Sequence, residues 1–177
     1  MVVGHVGVGL AAKRVAPQAP LWVLLFAGLF LDIVFVVCSL IGVEHYSDTS
    51  TTVNPYSHGL LMSVFWSIAG GVITFLLWRD RRTSVVVGLV LFSHWMLDFI
   101  AHNPDLPLSF DGSPLVGLSL EWSFTGTGYV IHWTQALVIE LGLLISGMVI
   151  YLSTTKTNAP AKTYDTPHND APSYDNQ

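Results

Sequence analysis

The chain has 177 residues, of which 51% are hydrophobic and only 11% charged, whereas a soluble domain carries about 25% charged residues. That balance excludes a soluble globular protein, and a formal charge of −5 provides no basic surface for nucleic acid as a partner. Cys38 is the single cysteine, so an intrachain disulfide is excluded as well.

The composition predicts an all-α, polytopic membrane helix bundle. It has four transmembrane helices and a short N-terminal helix within residues 1–152, then a disordered polar tail over 153–177. Val2–Ala12 is too short to cross a bilayer. Its Gly4, Gly7 and Gly9 read as contacts that let a helix pack closely on its neighbours, because the spacing is wrong for a dinucleotide loop. Pro17 and Pro20 break this helix from the first span, Leu21–Ile41. That span is too long, and too interrupted by Asp32, for a signal peptide. Gly59–Trp78 and Val85–Ile100, the latter starting nearer Thr83, form the second and third spans, and Tyr129–Leu152 the fourth; a span needs about 20 mostly apolar residues. Trp66, Trp78, Trp95, Trp122 and Trp133 suit interfacial belts or the bundle core. The tail from Ser153 is rich in Pro, Asn, Asp and Thr, so it lacks apolar surface to bury, and His168 within it is expected to have no role.

Lys and Arg set the orientation. Lys13 and Arg14 precede the first span, Arg79, Arg81 and Arg82 lie between the second and third, and Lys156 and Lys162 follow the fourth. Val43–His58 and Ala101–Gly128 contain neither residue. All seven basic residues thus fall on one side, expected to be cytoplasmic together with both termini.

Ionisable groups nevertheless occur inside the apolar segments. Asp32 lies near the middle of the first span, His94 and Asp98 in the outer half of the third, and Glu140 near the middle of the fourth. His5 sits in the N-terminal helix, and His58 opens the second span. Three ionised carboxylates in lipid cost on the order of 8–10 kcal/mol if uncompensated, and no span holds a Lys or Arg to pair with them. The acids are therefore either protonated and hydrogen-bonded or gathered, with neutral imidazoles, around a divalent cation. His94 and Asp98 are one turn apart and about 40° around the helix axis, close enough to share an ion. His102 continues that face but lies about 12 Å further along, so it belongs at the mouth of the site, on a second ion, or behind a ligand. Asp105 follows Pro104 and should lie beyond the helix. Bland readings stand beside these. His58 and His5 also suit interfacial positions, Asp32 an interhelical hydrogen bond, and Glu140 a proton carrier or an interhelical contact. His132 and Gln135 read as interhelical polar contacts, and Glu44, His45 and Asp48 as solvated loop residues.

Gly4-His5, Leu31-Asp32, Ser57-His58 and His94-x-x-x-Asp98, in this order, resemble the membrane-bound metal-dependent hydrolases, small bacterial and archaeal inner-membrane proteins that include LexA-regulated members. The resemblance covers residues 1–152. It implies a metal ion held by a pool of His5, Asp32, His58, His94 and Asp98, and such mixed imidazole and carboxylate donors suit a divalent zinc, manganese or iron alike. Two positions depart from the family pattern: Val34 stands where an Asp-x-Asp motif has its second acid, and Gly59 where a Ser follows the histidine. The expected function is hydrolysis of a lipid-like ester or phosphoester, with general acid–base chemistry from Glu140, His102 or Asp105. The alternatives are a non-catalytic subunit or assembly factor of a larger membrane complex, partnered by other membrane proteins, and an ion or proton pathway. A pathway built on inverted repeats is disfavoured, because no internal repeat is visible.

Overall fold

The computed structural model describes residues 2–46, 52–101, 105–110, 112–118 and 128–157. Within them lie α1 (Val2–Val15), α2 (Leu21–Leu40), α3 (Leu60–Trp78), α4 (Arg81–Ala101) and α5 (Gly128–Thr157). Two small antiparallel hairpins interrupt the loops. The first pairs β1 (His45–Tyr46) with β2 (Thr52–Val53), and the second pairs β3 (Leu106–Pro107) with β4 (Leu115–Val116). Four of the described helices, α2 to α5, are long and apolar enough to cross a membrane, while α1 is a half-length helix packed inside the bundle. Two boundaries differ from expectation. The third span begins at Arg81 rather than Thr83, and the fourth helix continues past Leu152 to Thr157, leaving 158–177 outside the described residues.

Local chemistry sets the helix ends. The turn through Pro17 is closed by Lys13, whose Nζ donates to the carbonyls of Pro17 (2.9 Å) and Ala19 (2.6 Å). Arg79, in the left-handed region at φ 56°, ends α3. Asp80 then caps α4: its carboxylate accepts from the backbone N–H groups of Arg82 and Thr83, each at 3.1 Å, and from the Thr83 hydroxyl. These contacts hold the Asp80 carboxyl below the usual carboxylate range.

Small residues make the interhelical seams, as membrane packing requires. α3 meets α4 along Ser67 and Gly71 facing Ser84 and Gly88, where a Cβ on Gly88 would lie 3.0 Å from the Ser67 carbonyl oxygen. α1 crosses α5 where Gly7 and Gly147 meet, and a Cβ on either would strike the backbone of the other helix. α1 and α5 run the same way, since Glu140 sits at the Val3 end and Gly147 further along beside Gly7.

Ala12, Ala16, Ala19, Val23 and Leu24 form a buried apolar cluster with Val86, Val87, Val90 and Leu91 of α4. It clamps α1, α2 and α4 at the end that carries Lys13, Arg14, Arg81 and Arg82. In α4 the buried positions continue as Leu91, His94, Trp95 and Asp98, a helical stripe that turns from apolar to ionisable toward the opposite end. There the second hairpin closes over the bundle: Leu61 N–H donates to the Leu108 carbonyl (3.1 Å), Leu118 N–H donates to the Phe99 carbonyl (2.7 Å), and Leu106 is buried.

Candidate metal centre

Four elements converge on one point. α1 brings His5, α2 brings Asp32, the residue two before α3 is His58, and α4 brings His94 and Asp98. His94 Nε2 lies 3.3 Å from His58 Nε2, 3.5 Å from Asp32 Oδ1 and 3.3 Å from Asp98 Oδ2. His58 Nε2 lies 3.6 Å from Asp32 Oδ1 and 3.4 Å from Asp98 Oδ2. A carboxylate oxygen of each aspartate thus lies within 3.6 Å of both imidazole nitrogens. His5 completes the group from the other side: its ring stacks on His94 at 3.6 Å, and its Nε2 is 3.3 Å from Asp98 Oδ1. Two sets have the reach to hold an ion, Asp32/His58/His94 and His5/His94/Asp98, with His94 common to both.

The outer atoms of the two central histidines fix which nitrogen faces inward. His94 Nδ1 is 2.8 Å from the Gly28 carbonyl, which can only accept, so Nδ1 carries a proton, and in the neutral ring Nε2 presents a lone pair. Ser57 Oγ donates its one proton to Glu44 Oε2 (2.7 Å) and therefore accepts from His58 Nδ1 (2.8 Å). With both rings neutral, two lone-pair nitrogens face each other at 3.3 Å beside two carboxylate oxygens. That donor set, rich in acceptors and poor in protons, suits a cation. Buried polar atoms left over agree with it: both nitrogens of His5 and Oδ2 of Asp32 complete no hydrogen bond among the described residues.

Access is uneven. The side chains of His5 and His94 are fully enclosed and that of Asp98 nearly so, but Asp32 is 28% exposed, so the centre opens on the α2 side. Its depth follows from the helix rise: His94 is about 20 Å along α4 from Arg81, which puts the centre in the half of the bundle opposite the basic residues.

All five ligand candidates read from the sequence are in this cluster. The three acid–base candidates are not. Glu140 lies against the start of α1, where its Oε2 accepts from the Val3 N–H at 2.9 Å. Asp105 is half-buried ahead of the second hairpin and belongs to neither His/Asp set. His102 lies outside the described residues, as do Asp48 and the side chains of His132 and Gln135.

Glu44 corrects the reading of a solvated loop residue. It is fully buried, and Oε1 accepts from the backbone N–H groups of Tyr56 (2.7 Å) and Ser57 (2.9 Å) while Oε2 holds the Ser57 hydroxyl. Nothing in the local sequence distinguishes it from His45, which is exposed. Only the fold of the loop back onto Ser57 does so. Comparisons with protein-family models, curated proteins and solved structures gave no match.

Proposed function

We propose that this chain is a metal-dependent hydrolase of a bacterial or archaeal plasma membrane, acting on a lipid-like ester or phosphoester. The observation that carries the reading is the mutual spacing of His58 Nε2, His94 Nε2, Asp32 Oδ1 and Asp98 Oδ2. Five of the six distances among these atoms are 3.3–3.6 Å, near enough for the two histidines to share one ion with a carboxylate. Mixed imidazole and carboxylate donors suit zinc, manganese or iron, and zinc is the ion taken for the tests.

A divalent ion so held supplies Lewis acidity and activates water toward an ester or phosphoester. The protein's own groups do the rest. Gly28 and the Glu44–Ser57 pair keep both Nε2 lone pairs turned inward, a role typical of groups behind metal ligands. Asp98 spans the set, one oxygen toward the two histidines and the other toward His5. Asp32, the most open member, marks the face where substrate enters. Glu140 anchors the end of α1 that delivers His5. Acid–base assistance falls to Asp105 or His102, on the chain that leaves α4 just beyond Asp98. With the basic end of the bundle facing the cytoplasm by the positive-inside rule, the centre lies in the outer half of the membrane together with the start of α1, which departs from the cytoplasmic N-terminus expected from the sequence.

Elemental analysis of purified protein tests this, alongside hydrolysis of a fluorogenic phospholipid. Wild type should carry bound zinc and turn over the reporter, and His94→Ala and Asp98→Ala should lose both. Metal-loaded protein without turnover would favour a passive subunit with a structural ion. Unchanged metal and activity in both variants would end the proposal.

A further inference from the structure

A cavity of about 250 Å³ runs between α2 and α3, floored by α4. α2 and α3 each pack on α4 but scarcely on each other. Their walls meet mainly through the edge contact of Phe30 with Trp66, 5.3 Å between ring centres. Phe26 and Phe30 line one side, Ala69 and Ile73 the other, and Val87 and Leu91 the floor. The hydroxyl of Thr74, which also lines it, is already spent on the Gly70 carbonyl at 2.7 Å. Such a cavity offers water little to bind.

Its position relative to the metal centre gives it meaning. Phe30 lies two residues before Asp32 and Leu91 three before His94, so the cavity ends about 3–5 Å of helix rise from the ligands. Ala27, also in its wall, adjoins Gly28, the residue that orients His94. The open ligand, Asp32, is on the same helix that forms one wall. From there the groove leads toward Trp22 and Trp78 at the basic end, the cytoplasmic side by the positive-inside rule. The volume equals roughly eight water molecules at about 30 Å³ each, and a methylene fills about as much, so it admits a stretch of a single hydrocarbon chain and not a second chain or a headgroup.

We infer that the α2–α3 groove holds one acyl chain of a bilayer glycerolipid, with the chain's ester end presented to the metal centre. That this ester is the bond cleaved rests on the hydrolase reading; the seating of the chain does not. The chain enters sideways from the bilayer between α2 and α3, its carbonyl end at Asp32 and its methyl end toward Leu77 and Trp78.

A phosphatidylcholine bearing a diazirine at its acyl terminus, in phosphatidylcholine vesicles with the full-length protein, tests the seat directly. Photolabel mapped by peptide mass spectrometry should concentrate on Ile73, Thr74 and Leu77, above the level at Phe65 and Leu76, which are exposed on α3 but do not line the groove. Ala69→Phe, which fills the middle of the groove, should reduce that label to the level at Phe65 and Leu76. Leu77→Trp, at an exposed position and so tolerant of bulk, should reduce it too, and Leu76→Phe, exposed but outside the groove, should not. Retained metal marks each variant as folded. Label spread evenly over α3, or unchanged in Ala69→Phe and Leu77→Trp, overturns the groove. Labelling in the groove without hydrolysis would sink the hydrolase and keep the groove; hydrolysis without groove labelling would do the reverse.

Discussion

Glu44→Gln is a nearly isosteric change about as far from the proposed ion as a ligand's ligand can be, yet it should weaken metal binding. In the native chain proton donation runs one way: His58 Nδ1 to Ser57 Oγ at 2.8 Å, then Ser57 Oγ to Glu44 Oε2 at 2.7 Å. Oε1 is committed to two backbone N–H groups, at 2.7 and 2.9 Å. A glutamine must keep its carbonyl oxygen there, because leaving two buried N–H groups unpaired costs about 1–3 kcal/mol each. Its NH₂ then faces Ser57 Oγ and donates to it. The serine proton is displaced toward His58 Nδ1, and the ring must carry its own proton on Nε2, where the ion needs a lone pair. Losing such a partner typically costs 10–100-fold in metal affinity, about 1.4–2.7 kcal/mol. Chelator competition on detergent-purified protein measures it, with the thermal stability of the metal-free form as control. A zinc affinity within about twofold of wild type, with the metal-free form still folded, would refute the hydrogen-bond direction argued here.

Gly28→Ala should also lower zinc affinity, since its new Cβ would lie 2.7 Å from the His5 carbonyl oxygen and push apart the helices carrying His5 and the His94 acceptor; the same chelator competition reads it. Zinc X-ray absorption should give a nitrogen/oxygen shell at about 2.0–2.1 Å with two or more imidazoles and no sulfur, since Cys38 is outside both donor sets; a sulfur shell would contradict the assignment. Gly7→Val should destabilise the bundle by about 1–3 kcal/mol as an overpacked backbone contact with α5, seen as earlier thermal unfolding. Asp80 has its carboxyl held low by the α4 cap, so its contribution is fully present above the unfolded carboxylate value and is lost as pH falls through the lower folded one. Thermal unfolding of wild type should therefore lose an increment below about pH 4 that Asp80→Asn, which still caps but does not titrate, lacks.

The spans were legible because hydropathy and the absence of charge are one-dimensional signals. The His94–Asp98 pair was legible because helical periodicity converts a separation of four residues into a shared face. His5, Asp32 and His58 were candidates for being ionisable in lipid and for the short motifs they share with the resembled family. His5 reaches the others because α1 crosses α5 at Gly7 and Gly147, and α2 at Gly9 and Gly28, so closely that a half-length helix is held inside the bundle. Glu44 was missed because its burial is created by a loop folding back twelve to thirteen residues later. Glu140 was seen as an ionisable group in a span, but its partner is a backbone N–H at the opposite end of the chain. No local pattern carries either contact.

Charge balance explains why one such centre is tolerable in lipid. The four donor atoms come from two carboxylates and two neutral imidazoles, a formal −2 that a single divalent ion cancels. A second ion would leave an excess of +2 unless further anions joined, and position 34, two residues beyond Asp32, carries valine instead of a second acid. Neutrality and enclosure thus point the same way: His5 and His94 are sealed, Asp98 nearly so, and exposure is concentrated at Asp32. Adding an acid at that point, as Val34→Asp, would restore the doublet of the resembled family but place an uncompensated charge in the bilayer. The variant should be less stable without excess zinc and should gain stability, with a second equivalent bound, when zinc is supplied. If Val34→Asp were as stable as wild type without zinc, the charge of the centre would not be what limits its metal count.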